Sequence, residues 1–235
     1  DETRLYELAI DMLADLHRLP AARTTALDVP AYDDQRLLAE ARLLTDWFAP
    51  AMFGRALGDD AVRAYEDLWR AAFPLARRVP DTLVLRDFHV DNLMELPARA
   101  GVAACGLLDF QDAVIGPATY DVVSLLEDAR RDLAPGLKEA MAARYLAALP
   151  DLDRAAFETS CAVLAAQRNA KIVGIFTRLW KRDGKPVYLK HIPRVWRLLE
   201  GDLRHPALAG LRAWFDAHVP AEKRRDRKST RLNSS

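Results

Sequence analysis

The sequence predicts a mainly helical α/β fold, in which two helical regions flank a small β patch bearing a polar bend. Three observations carry this. Apolar residues recur at helical spacing from Leu5 to Ala72 and again beyond Thr119. Between those regions lie short apolar runs bounded by turn residues, too short for helices. The bend after Leu85 holds Asp87, His89, Asp91 and Asn92 but no glycine or proline, so turn geometry alone does not explain it.

Leu5, Leu8, Ala9, Met12, Leu13 and Leu16 define the first helix, with Pro20 as its stop. Leu37, Leu38, Ala41, Leu44, Trp47 and Phe48 repeat the pattern, as do Val62, Tyr65, Leu68, Trp69 and Ala72. Leu83 to Leu85 then reads as a buried strand, and Leu93 to Leu96 and Val102 to Leu108 as two more, which makes a three-strand patch turning at residues 97–101. Helices are expected near 119–132, 136–148, 153–182, 191–203 and 207–217, with a bend or break near Gly174. There is no internal repeat. The structured domain is expected over residues 1–220. Residues 221–235 are expected to form a disordered tail, and RKSTRLNSS resembles a translated sequencing adapter, hence non-native sequence.

A chain of 235 residues can bury one sizeable core. Its 34 basic and 34 acidic residues cancel, so no overall field favours nucleic acid or a membrane surface, and neither is expected as a partner. Cys105 and Cys161 sit in separate apolar runs and read as two buried thiols in a reducing compartment. No apolar stretch is long enough to span a bilayer, and a soluble, cytoplasmic protein is expected.

The chemistry concentrates at strand ends. Asp87 follows the first strand, Asn92 lies five residues on, and Asp109 follows Val102 to Leu108. A carboxylate and an amide oxygen brought together by neighbouring strands make a hard-oxygen site suited to Mg²⁺ and poor for Zn²⁺. A further carboxylate that does not bind the metal can accept a hydroxyl proton. These are the parts of phosphoryl transfer, where positioning and charge neutralisation dominate. Protein kinases space a catalytic Asp, a metal-binding Asn and a later Asp-Phe in this way.

LRDFHVDNLM and LLDFQDAVIGPATYDVVSLLEDARRDL resemble the aminoglycoside phosphotransferase/choline kinase family, most nearly its anomeric amino-sugar kinases acting on N-acetylmuramate and N-acetylglucosamine. The likeness covers residues 5–218, with the sharp motifs inside 85–132. It implies a protein-kinase-like C-terminal lobe, with ATP as phosphoryl donor, Mg²⁺ as cofactor, and an amino sugar and a nucleotide as partners. It implies Asp87 as catalytic base, Asn92 and Asp109 as metal ligands, and Asp121 as a brace of the catalytic loop through backbone N–H groups. The family usually has a histidine two places before the catalytic Asp, where this chain has Leu85. Gln111 stands where many relatives have Glu, and the DFQDA form fits the amino-sugar subgroup.

Other candidates carry two readings each. His89 can touch substrate, orient Asp87 or simply be hydrogen-bonded in the loop; Gln111 can reach the sugar or serve structure. Gln167, Arg168, Asn169 and Lys171 interrupt an apolar helix, and polar groups there must find partners. Arg168 can pair with a substrate carboxylate or with an internal acid. Glu127, Asp128 and Asp132, mixed with Arg130 and Arg131, read as an exposed mixed-charge helix face. Trp180, Trp196 and Trp214 read as packing residues.

A kinase of this type also needs a phosphate-covering loop and a strand lysine. The first lysine here is Lys138, and only Gly54 and Gly58 precede Asp87. The expectation is therefore a C-terminal lobe with the N-terminal lobe absent, showing little turnover alone. The alternative is a non-catalytic, kinase-like binding module.

Overall fold

The structure is a computed structural model that describes residues 2–19 and 28–225. The expected stop at Pro20 and the stretch 226–235 of the expected tail lie outside the described residues. The chain forms two compact units, one of residues 1–32 and 76–161, the other of residues 33–75 and 162–235.

In the first unit, helix α1 (Glu2–His17) buries Tyr6, Ala9, Ile10, Met12, Leu13 and Ala14; of the stripe read from spacing only Ala9, Met12 and Leu13 are fully buried, while Leu8 and Leu16 are half-buried and Leu5 is exposed. Strand β1 (Asp81–Val84) leads into the polar bend. A three-residue 3₁₀ turn, Val90–Asn92, ends the bend and opens strand β2 (Leu93–Glu95), which pairs antiparallel with β3 (Cys105–Leu107). Strand β4 (Val114–Pro117) returns antiparallel to β1, and helix α5 (Thr119–Leu126) follows with all eight residues buried. A later helix of this unit, α6 (Leu137–Ala148), buries Leu137, Met141 and Tyr145. These helices close one core with Leu85, Phe88, Val122, Leu125 and Phe157. Each such large side chain contributes about 1.5–3 kcal/mol when fully buried.

Three expectations change here. The strands form two separate two-stranded sheets, not one three-strand patch, and β4 is an element the sequence did not announce. Residues 101–104 form a 3₁₀ turn, so the third strand begins only at Cys105. The helix expected over 119–132 stops at Leu126. Beside the first sheet, Tyr32 N–H donates to Ile115 O (2.7 Å) and Ile115 N–H to Pro30 O (3.0 Å), which makes a parallel bridge at Ala31. Gly116 permits this approach, since a Cβ there would lie 2.9 Å from Tyr32 Cβ. Cys105 and Cys161 are free thiols, half-buried instead of buried.

The second unit holds α2 (Asp34–Ala41) and α3 (Ala49–Phe53), with a π-helical turn, Leu44–Phe48, between them where a single helix was expected. Most of α4 (Asp59–Ala76) and of the long helix α7 (Arg154–Lys181) belongs to it, as do α8 (Ile192–Asp202), α9 (Ala209–His218) and α10 (Ala221–Arg225). Its core is aromatic: Tyr65 packs on Trp69, Trp214 and Phe215, and Phe48 on Trp196. Trp180 is only half-buried, with Lys181 Nζ 4.0 Å from its ring centre. Helix α7 does not break at Gly174. A Cβ there would come within 2.2 Å of the Leu43 carbonyl carbon, so glycine lets the helix lie against that backbone.

The ordered chain also runs past the expected boundary at residue 220. Arg224 is buried, donates to Val219 O (2.7 Å) and to Asp216 (3.0 Å), and reaches Glu200 at 3.3 Å. Among the described residues no helix is long and apolar enough to cross a membrane.

Candidate active site

The bend is pinned on both sides by apolar anchors. Leu85 and Phe88 are buried in the core of the first unit while Asp87 between them is exposed. The backbone folds tightly here: Asp87 N–H donates to Leu85 O (2.8 Å), His89 N–H to Asp87 O (3.0 Å) and Asn92 N–H to His89 O (2.9 Å). Arg86 stands in the left-handed region at φ +67°, which costs a non-glycine residue of order 1–3 kcal/mol.

Helix α5 supplies the compensation. Asp121, fully buried, accepts from Leu85 N–H at 2.6 Å and from Arg86 N–H at 2.9 Å. Ser124 Oγ donates to Arg86 O at 3.2 Å. Hydrogen bonds to a charged acceptor contribute about 1.5–3 kcal/mol each, enough to offset the strained backbone. The buried carboxylate is in turn satisfied by the two N–H groups.

The hairpin carries the other candidates to the same end. Leu93 pairs with Leu107, and Leu108 N–H donates to Asn92 O (2.9 Å), which sets Asp109 one residue beyond Asn92's partner. Asn92 Nδ2 donates to Asp87 O (2.9 Å) and lies 3.4 Å from His89 Nε2. With its nitrogen so engaged, Asn92 presents its amide oxygen as the donor atom for a hard cation. Asp109 is the second left-handed non-glycine residue, at φ +56°, and its Oδ1 accepts from Gln111 Nε2 at 2.6 Å. Asn92 Oδ1 and the Asp109 carboxylate fit Mg²⁺, which is held by one or two protein oxygens together with substrate phosphates. Among the described residues no three His, Cys, Asp or Glu side chains gather as a cage, and Mg²⁺ of this kind requires none.

Beside the turn opens a cavity of about 340 Å³, lined by Glu2, Tyr6, Asp91, Leu93, Met94 and Arg131 among others. Asp91 is exposed, as its place in the bend suggests. Glu127 and Asp128 overturn their expected exposure, being 3% and 2% accessible. Lys138 Nζ lies 2.5 Å from Glu127, and Asp128 Oδ1 accepts from Arg130 N–H (2.7 Å). The chain leaves the helix at this point, so a reading that continues the helical face outward misplaces both acids. Asp132 is exposed. Ser124 was not singled out by sequence; a serine inside an apolar helix facing a strained turn is the signal that marks it.

In the second unit the polar interruption of α7 finds internal partners. Gln167 Nε2 donates to Leu37 O (2.9 Å), Asn169 Nδ2 to Asp202 (2.9 Å), and Lys171 pairs with Glu40 (2.9 Å). Arg168 is buried among these neighbours in sequence.

A mainly helical fold with small sheets and a braced Asp-x₄-Asn turn defines a kinase-like phosphotransferase class. The profile of the phosphotransferase enzyme family matches residues 1–157, and the chain belongs to that family. It is 40% identical over 230 residues to the N-acetylmuramate/N-acetylglucosamine kinase of Caulobacter vibrioides, covering 96% of this chain and 63% of that protein. The enzyme of the same name from Pseudomonas putida is 35% identical over 218 residues, covering 88% and 60%. The chain thus spans about three fifths of the length of these relatives. The GDP complex of wild-type aminoglycoside 2'-phosphotransferase-IIIa has the same fold, with a TM-score of 0.54 at 20% identity over 86% of this chain and 63% of that one.

Proposed function

We propose that the protein carrying this chain transfers a phosphoryl group from ATP to an amino sugar, N-acetylmuramate or N-acetylglucosamine, at the anomeric hydroxyl. The observation that carries the reading is the braced turn that presents Asp87 and Asn92 beside the hairpin end bearing Asp109. The names of the 35–40% identical relatives support the choice of sugar. Asp87 accepts the proton of the attacking hydroxyl while its oxygen bonds to the γ-phosphorus and the bridging bond to ADP breaks. Asn92 and Asp109 would hold Mg²⁺, which when bound would supply positive charge against the phosphates.

His89 orients the turn through its contact with Asn92, and Gln111 fixes the Asp109 carboxylate while its own carbonyl remains for a sugar hydroxyl. Arg168, buried in the second unit, keeps both of its readings, a substrate carboxylate or an internal acid, either of which matches a guanidinium donor. The 235 residues alone are expected to turn over little: no lysine precedes Lys138, Gly54 caps a helix at φ +71°, and Gly58 immediately precedes the next one. A non-catalytic binding module has no need of Asp87, Asn92 and Asp109 together, and is the less favoured reading.

The test is ADP release with each sugar, with ³¹P NMR of the product, for the protein encoded at the source locus beside the 235-residue chain. A sugar-1-phosphate from the former alone supports every part of the reading. Phosphate on another hydroxyl overturns the anomeric assignment, and no sugar-dependent ADP release from either protein overturns the kinase reading.

A further inference from the structure

We infer that Tyr32 is a positioning residue for the catalytic turn, acting through the guanidinium of Arg86. This rests on the reading of Asp87 as proton acceptor and extends it to a residue remote in sequence. Arg86 directly precedes Asp87 and is held left-handed, a conformation that persists only where its surroundings over-determine it. Asp121 and Ser124 fix its peptide. The side chain is the remaining handle, and Tyr32 grips it: Arg86 Cζ lies 5.5 Å from the Tyr32 ring centre, within cation–π range.

The ring is itself rigidly placed, only 1% exposed. It meets Tyr120 edge-on at 5.0 Å. The Tyr32 N–H donates to Ile115 O, and Arg77 donates to Tyr32 O at 2.7 Å. Gly116 leaves space for its Cβ. Tyr120 and Asp121 are adjacent in α5, so one helical turn holds Arg86 twice, by its peptide through Asp121 and by its side chain through the Tyr32 ring. Such anchoring sets the direction in which the next residue, Asp87, presents its carboxylate, and so acts on turnover and not on substrate affinity.

The experiment is steady-state kinetics and thermal unfolding of the full protein carrying Tyr32→Phe, Tyr32→Leu, Arg86→Met, Arg86→Lys and the Tyr32→Leu/Arg86→Met pair, with Asp87→Asn as control. Tyr32→Leu and Arg86→Met should each lower kcat roughly 10- to 50-fold with KM for ATP and sugar changed less than about threefold. Tyr32→Phe, which keeps the π face, should stay within about threefold of the parent, and the pair should be no worse than its worse single member. Folded Tyr32→Leu protein with the parent kcat, or losses that multiply in the pair, overturns the inference. Should Tyr32→Leu not fold, Arg86→Lys decides: substantial activity beside an impaired Arg86→Met supports the clamp, and equal impairment overturns it. A loss under tenfold in Asp87→Asn overturns the role of Asp87 instead, and the Tyr32–Arg86 coupling is then judged on the pair alone.

Discussion

Asp121 Oδ1 accepts the amide proton of Arg86, and through that one bond a helix fixes a strained residue beside the proposed base. Replacing Asp121 by Asn exchanges a charged acceptor for an amide whose nitrogen cannot accept. One buried N–H then loses its partner, and the expected loss of stability is about 2–4 kcal/mol. Urea unfolding of the variant beside the parent measures it; a change below half a kcal/mol would show that the two bonds contribute little.

Asp87→Asn in the full protein should lower kcat by roughly 10²–10⁴, the scale of a lost general base. Asp109→Ala should act differently, raising the Mg²⁺ concentration needed for half-maximal rate. A Mg²⁺ titration of both variants separates the roles, and an unchanged titration for Asp109→Ala would remove that residue from the metal site.

Gly174→Ala tests packing against propensity. Alanine is favoured over glycine by about 1 kcal/mol in a helix interior. Here its Cβ would collide with the Leu43 backbone, so destabilisation of roughly 1–3 kcal/mol or more is expected despite the better helix former. Denaturant midpoints settle the sign.

His17 gives a pH dependence. Its Nδ1 lies 2.6 Å from the Tyr145 hydroxyl, and burial lowers its pKa from 6.5 to about 3. The unfolded chain therefore takes up a proton that the folded one refuses. The stabilising contribution is complete above pH 6.5 and is lost as pH falls from there toward 3, with a slope approaching about 1.4 kcal/mol per pH unit. Midpoints for the parent and His17→Gln, compared from pH 7.5 to 5, should converge as pH falls; parallel curves would mean that His17 titrates normally.

The sequence made the helices legible wherever apolar residues repeat at 3–4 spacing, as in α1. Asp87, Asn92 and Asp109 were legible because their spacing is local and follows short strands. Strand β4 was hidden, since Val-Ile-Gly-Pro reads as a turn and becomes a strand only by pairing with β1 and with the segment before Tyr32. The burial of Glu127 and Asp128 was hidden for a related reason: the Lys138 ammonium and the Arg130 N–H that meet them lie past the end of the helix, where periodicity gives no guide. Gly174 looked like a breaker because the surface that demands it belongs to a distant segment.

The two apolar anchors on either side of Asp87 have a consequence for motion. With Leu85 and Phe88 sunk in the core and the N–H groups of Leu85 and Arg86 bonded to Asp121, opening this turn exposes core surface. Its amide protons should exchange with solvent almost as slowly as those of the first unit's innermost helix. A segment so costly to open makes a poor switch, and on the proposed reading any control falls on whatever brings the nucleotide to it.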